Sequence, residues 1–169
     1  MTYILYCDDT KISPQYISGF VDGEGCFTLG ISMNHKRPFG LCLTPSFSIS
    51  QHYESESILR VIQKFFGCGF LRRDRFTTKY EVRSLPVLQT QILPHFFQYP
   101  LYTKKAQDFI LFSEICHALS LNQHSTSAGV CAILEKAYTM NQNGKFRRSA
   151  KHHWLRLVDS FPSNEKVNE

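Results

Sequence analysis

The chain has 169 residues, 43% of them apolar and 20% charged, and 19 Lys and Arg against 14 Asp and Glu give a formal net charge of +5. That length predicts one domain with its own buried core, and the composition excludes both a wholly disordered chain and a mini-protein held together by disulfides. The positive balance suits a polyanionic partner, although +5 is also ordinary for solubility.

The opening Met-Thr-Tyr-Ile-Leu-Tyr-Cys is followed by Asp8 and Asp9, where a secretory leader would carry positive charge, so no leader is expected. Ser13-Pro14 predicts a helix start, since Ser caps well and Pro at the first position loses no needed hydrogen bond. The helix should run from Pro14 to about Gly23 and stop in Gly23-Glu24-Gly25. It is nearly uncharged until its last turn, the pattern of a buried helix. Phe27, Leu29, Ile31 and Met33 then alternate with Thr28, Gly30, Ser32 and Asn34, and Leu41, Leu43, Phe47 and Ile49 alternate with Cys42, Thr44, Ser46, Ser48 and Ser50. Period two with one apolar face predicts a strand pair over 27–33 and 41–51, joined by a basic hairpin loop over 34–40. Ser55 to Phe66 predicts an amphipathic helix stopped at Gly67.

A second strand pair is expected from Gly69 to about Arg83, with Arg72, Arg73 and Arg75 on its first strand and Lys79 and Arg83 on its second. Ser84 is a candidate cap for a helix through Phe96, broken at Tyr99-Pro100. Thr103 should cap a longer helix through Leu119, and another should run from about Ser127 to Met140, ended by Asn143-Gly144. A basic tail follows from Lys145 to Arg156, and the residues from about Phe161 read as frayed. The order is helix, strand pair, helix, strand pair, helices. It predicts an α+β fold in one domain over 1–169, with a core at about 13–150, one antiparallel sheet and helices on one face. No apolar run reaches the roughly 20 residues of a membrane span. Cys7, Cys26, Cys42, Cys68, Cys116 and Cys131 form no CxxC, so buried free thiols in a reducing compartment are expected. The histidines have no zinc-site spacing with them.

Ile17-Ser18-Gly19-Phe20-Val21-Asp22-Gly23-Glu24-Gly25 is the most specific segment. Ser18-Gly19 and Asp22-Gly23 place small groups four residues apart, which lets two helix backbones approach closely. Glu24 falls where the helix ends. If two such helices pair about a two-fold axis, their Glu24 carboxylates come together and repel unless a cation lies between them or one is protonated. Carboxylate oxygens suit Mg²⁺, and paired metal sites activate water and stabilise the leaving oxygen in phosphodiester hydrolysis. Three other readings compete. A dinucleotide loop needs GxGxxG after a strand, whereas GxxxGxG stands here; a calcium loop needs a Glu twelve positions in; and a buried helix with an exposed turn needs nothing more.

The segment resembles the LAGLIDADG motif of homing endonucleases. The resemblance extends to Ser13-Pro14, Ser-Phe-Ser-Ile-Ser-Gln at 46–51, Tyr-Pro-Leu-Tyr-Thr-Lys-Lys-Ala-Gln-Asp-Phe at 99–109 and Met-Asn-Gln-Asn-Gly-Lys-Phe-Arg-Arg at 140–148. It implies an αββαββα core whose curved sheet forms a saddle, with further C-terminal helices. One motif copy implies a homodimer paired through Ser18, Gly19, Asp22 and Gly23, with the Ser18 hydroxyl available for a bond across the interface and Asp22 structural. Glu24 would be the metal ligand, with the Gly23 carbonyl as a second. Gln51 would order metal-bound water, and Lys104 or Lys105 would lie near the scissile phosphate. The cofactor implied is Mg²⁺, with Mn²⁺ able to substitute.

A β-ribbon fits the major groove, where base edges can be told apart. Candidate DNA contacts are Thr28, Ser32, Asn34, Lys36 and Arg37 on the first ribbon, continued by Thr44, Ser46, Ser48 and Ser50. Arg72, Arg75, Lys79 and Arg83 are candidates on the second. Arg73 and Asp74 are candidates for a surface ion pair. The tail residues Lys145, Arg147, Arg148 and Lys151 are expected on phosphates, which position without specifying. The function implied is intron homing: site-specific double-strand cleavage of a long, near-palindromic target, leaving 3′ overhangs. The alternatives are an intron-RNA maturase and a non-catalytic DNA-binding regulator. The presence of Glu24, Gln51 and Lys104-Lys105 argues against the regulator. The expected partners are duplex DNA, a second copy and, for a maturase, intron RNA, with no membrane. The expected setting is soluble and intracellular, in a chloroplast or mitochondrion or in a prokaryotic cytoplasm.

Overall fold

A computed structural model describes residues 12–145 and 147–161. The expectations for the opening segment, Cys7 and the tail beyond Phe161 lie outside the described residues. The elements are helix α1 (Pro14–Glu24), strands β1 (Gly25–Met33) and β2 (Leu41–His52), helix α2 (Glu56–Phe66), strands β3 (Phe70–Asp74) and β4 (Thr77–Val82), and helices α3 (Leu85–Val87), α4 (Leu93–Gln98), α5 (Lys105–Ser120), α6 (Ser127–Gly144) and α7 (Lys151–Ser160). The strands form one sheet in the order β1-β2-β4-β3, and β4 is antiparallel to both β2 and β3. The α+β class expected from the sequence is the one observed. The chain falls into two compact units, Met1–Phe27 with Ser46–Ala106 and Thr28–Pro45 with Gln107–Glu169.

In the first unit, Ile17 and Val21 of α1, Leu59, Ile62 and Phe66 of α2, and Phe96 of α4 are buried, as are Phe27, Phe47, Ile49, Tyr80 and Val82 from the strands. Phe47 lies at the centre of this core. It stacks on Phe27 at 5.2 Å and meets Phe96 edge-on at 5.5 Å between ring centres, the offset and edge arrangements that aromatic quadrupoles favour. Gly67 stops α2 in the left-handed conformation, at φ 63°. Ser84 makes no side-chain cap. Between α3 and α4 a π turn spans Leu88–Ile92. Pro94 explains it, because proline lacks the N–H for a regular bond to the preceding turn and its ring crowds the carbonyl there.

In the second unit, Leu41, Val130, Leu134, Trp154 and Val158 form a buried cluster, with Ile31, Phe39 and Tyr138 packed against it. Part of the expected tail is therefore the helix α7, which buries Trp154 and Val158 four residues apart. Thr126 caps α6 through its hydroxyl, which accepts from the Gly129 amide at 3.1 Å. The regular helix stops at Met140, where the sequence placed its end. Asn141, Gln142 and Asn143 follow with φ between 52° and 58°, and Gly144 has φ 69°. The Asp108 carboxylate accepts the Asn141 amide at 2.9 Å and holds the start of this left-handed turn. Met33 is 48% exposed, not inward. Of the described cysteines only Cys116 is buried; the others are partly exposed.

Candidate active site and nucleic-acid surface

Ser13 caps α1 by accepting the Tyr16 amide at 3.1 Å. Ile17, Ser18 and Val21 face inward, whereas Gln15, Gly19, Gly23 and Glu24 are exposed. Among the described residues, a β-carbon at Gly19 or Gly23 would meet nothing within 4 Å beyond the helix's own backbone. The two glycines therefore leave an open, smooth strip along the helix.

The helix passes into β1 without a loop. The Gly25 amide donates to the Val21 carbonyl, and β1 begins at Gly25 itself. A β-carbon at Gly25 would lie 2.5 Å from Val21 Cγ1 and 2.8 Å from the Val21 carbonyl oxygen. No larger residue fits that junction without movement. Glu24, the last residue of the helix, is thereby fixed at its exposed tip.

Of the four small residues the resemblance assigns to pairing, Ser18 and Asp22 do not share the exposed strip of Gly19 and Gly23. One residue along an α-helix is a turn of about 100°, and these two side chains are engaged within their own chain. The Ser18 hydroxyl donates to the Tyr99 carbonyl at 2.7 Å and lies 3.4 Å from His95 Nε2. Its proton is committed within its own chain, whereas the sequence had offered the hydroxyl for a bond across an interface. His95 is boxed in by Phe65, Phe66, Phe96 and Tyr99. Burial pulls its pKa down to about 4, so the ring is neutral at pH 7. The Asp22 carboxylate accepts from the Tyr102 amide at 2.8 Å, the Thr103 amide at 3.2 Å and the Thr103 hydroxyl at 2.8 Å. Between this loop and α1 lies an open groove of about 370 Å³, lined by Gln15, Ser18, Gly19, Gln98, Tyr99, Pro100 and Tyr102.

Thr103 starts α5 by accepting the Lys105 amide at 3.2 Å. The Lys105 ammonium turns back and donates to the Gly25 carbonyl, beside Glu24 in sequence. Lys104 is exposed. The two lysines, equivalent in the sequence, are thus distinct in structure. Gln51 lies one residue before the end of β2, opposite Thr78, on the side of the strand that carries Phe47 and Ile49 and away from Ser50.

The other side of this part of the sheet is polar. Ser48 faces Glu81, Ser50 faces Lys79, and Arg72 faces Lys79 from β3. Ser46 and Ser48, candidate DNA contacts in the sequence, are only 5% and 3% exposed. Their short side chains sit below longer neighbours. Arg75 is not on a strand but in the β3–β4 turn, at φ 48°. Arg73 is on the opposite side from Arg72; it lies over the Tyr53 ring at 4.4 Å and forms no ion pair with Asp74. Glu81, which alternation alone did not single out, is 2% exposed. Burial alone would raise its pKa, but Ser46, Lys79 and Arg83 outweigh that and hold the carboxyl below the usual carboxylate range. An acid flanked at two residues on each side by a base was the available signal.

In the second unit, Lys36 and Arg37 are exposed in the hairpin turn. The Asn34 side chain accepts the Lys36 amide at 3.1 Å and shapes that turn. Thr28 and Thr44 are partly exposed, and Ser32 is exposed. Among the tail cations, Lys145 and Arg148 are exposed, whereas Lys151 pairs with Glu135 at 2.6 Å. Arg147 departs from the phosphate-contact expectation. Its guanidinium donates to the Leu29 and Ala137 carbonyls, each at 2.9 Å, and lies 4.8 Å from the Tyr138 ring centre.

Among the described residues, no three His, Cys, Asp or Glu side chains gather as a metal cluster. At the tip of α1 a cation would meet the exposed Glu24 carboxylate and backbone oxygens. Such an all-oxygen set fits a hard divalent ion and needs a second set of ligands to be complete. Among the described residues, no helix is long and apolar enough to cross a membrane.

The sequence model of the family described as LAGLIDADG endonuclease matches residues 17–116. A Neurospora crassa protein named probable intron-encoded endonuclease 2 is 32% identical over 138 residues, covering 80% of this chain and 30% of its own length. The chain thus spans under a third of that relative. The crystal structure of the homing endonuclease I-TnaI aligns with a TM-score of 0.78 at 32% identity, over 89% of this chain and 98% of the other. I-SmaMI, bound to an uncleaved DNA target in the presence of calcium ions, aligns with a TM-score of 0.79 at 25% identity, over 94% of this chain and 54% of the other.

Proposed function

We propose that this chain, which belongs to the LAGLIDADG endonuclease family, is a site-specific DNA endonuclease that works as a homodimer paired through α1 and promotes the homing of its own intron. Residues 1–169 act as one endonuclease domain on a long, near-palindromic duplex. The observation that carries the reading is the exposed Glu24 at the tip of a helix whose Gly19–Gly23 strip is open. Two such helices in contact put two carboxylates side by side, an arrangement that favours a shared cation.

The Glu24 carboxylate and the Gly23 carbonyl would hold the ion, with Mg²⁺ as the proposed cofactor and Mn²⁺ as a substitute. When bound, the ion supplies water activation and stabilisation of the leaving 3′ oxygen. Asp22 fixes the loop before α5, and that loop sets the Lys105 ammonium beside the helix end. Lys105, rather than Lys104, is the proposed neutraliser of the attacked phosphate, and Gln51 orients water. Thr28, Ser32, Lys36, Arg37, Thr44, Ser50, Arg72, Lys79 and Arg83 are the proposed DNA contacts, with Lys145 and Arg148 on phosphates. An organelle is the proposed workplace.

A randomised duplex library incubated with Mg²⁺ tests this. Wild type should leave 3′ overhangs at one group of related sequences. Glu24→Gln should bind the same sequences and cut them about a thousandfold more slowly. Cutting by Glu24→Gln at the wild-type rate, or no cutting by wild type with any divalent ion, contradicts the reading.

A further inference from the structure

We infer that Glu81 is a specificity-determining positioning residue, which anchors Lys79 and Arg83 over the base edges and away from the phosphates. The inference rests on the DNA-endonuclease reading and adds a residue that reading does not use. Lys79 and Glu81 alternate along β4 and so point to the same side of the sheet, and Arg83, just past the end of that strand, turns to the same carboxylate. Glu81 lies at the bottom of this group. Its carboxylate accepts the Ser46 hydroxyl at 2.8 Å and Lys79 Nζ at 3.1 Å, and Arg83 Nη2 pairs with the other oxygen at 2.9 Å. The Lys79 and Arg83 side chains remain 29% and 50% exposed above it.

A buried acid on a strand face is costly unless paired, and here two cations pair with it. The two cations and one anion sum to a net positive charge, so the group still attracts DNA. Arg72 sits directly across from Lys79. Like charges so placed repel, and an anionic ligand above them relieves that repulsion. Arg83 also lies 6.0 Å from the Phe70 ring centre, a second restraint on its direction. Long cationic side chains without such a tether reach the nearest phosphate, and phosphate contacts carry no sequence information. A buried counter-charge under both cations opposes that escape.

Glu81→Gln keeps the shape and an acceptor for Ser46 but removes the charge. Binding to a randomised duplex library, read at several salt concentrations and alongside the melting temperature, tests the inference. Glu81→Gln should bind non-specific duplex more tightly, with a salt slope steeper by about one. Its discrimination at the base pairs under Lys79 and Arg83 should fall about tenfold, and Glu81→Asp should restore part of both. Unchanged discrimination and salt slope in folded Glu81→Gln overturn the inference, even if its melting temperature drops. If Glu81→Gln does not fold, Lys79→Gln and Arg83→Gln decide. Loss of discrimination at particular base pairs supports the inference, and uniform weakening across all sequences overturns it. Wild type that neither binds nor cuts duplex DNA sinks the underlying reading instead.

Discussion

Ser18 and Gly19 are neighbours in the chain with opposite duties. Gly19 keeps a surface open, whereas Ser18 bonds to the Tyr99 carbonyl beside a buried, neutral His95. The sequence shows both as small residues in a motif but does not show which one a partner helix would meet, because an error of one position rotates the face by about 100°. The same holds for Lys104 and Lys105, which only the turn at Thr103 separates. The place of Glu24, last in the helix and exposed, was legible from the chain alone. His95 was not, because its environment is assembled from α1, α2 and α4. That environment has a measurable consequence. The His95 pKa is about 4 in the fold and about 6.5 when unfolded. Its depressed folded value means that stability is full above about pH 6.5 and falls as pH drops toward 4. Denaturant titrations should show His95 costing about 1.5 kcal/mol between pH 6.5 and 5, and His95→Gln should remove that part of the slope. An identical pH dependence in the variant would show that His95 is not buried as described.

At the scale of elements, the α1–β1 junction ties fold to site. Gly25 permits a helix to become a strand in one step, and that step fixes Glu24 and the carbonyl that Lys105 holds. Gly25→Ala should lower stability by about 1–3 kcal/mol in chemical unfolding, because the methyl group meets Val21. It should also slow cleavage by displacing Glu24. Wild-type stability and cutting in that variant would mean that the junction is not tight. Period-two and amphipathic patterns made β1, β2, β4, α1 and α2 readable, with ends correct to within a few residues. The π turn before Pro94, the left-handed turn at 141–144 and α7 were not readable. The first two are irregularities that no hydrophobic period announces. The third hid among basic residues whose apolar partners, Trp154 and Val158, only tertiary packing identifies.

At the scale of the whole molecule, the account depends on two copies of α1 meeting along the Gly19–Gly23 strip. Among the described residues, no atom outside the helix's own backbone lies within 4 Å of a β-carbon added at either glycine. A bulky residue there should leave the monomer folded and block only the pairing. The most direct measurement is the protein mass in solution and on duplex DNA, by sedimentation equilibrium, for wild type and Gly19→Leu. The account predicts twice the 19.6 kDa chain mass for wild type in both settings, and a single folded chain that no longer cuts for Gly19→Leu. A wild-type protein that cuts both strands as a single chain, or a Gly19→Leu variant that still dimerises and cuts, would contradict it.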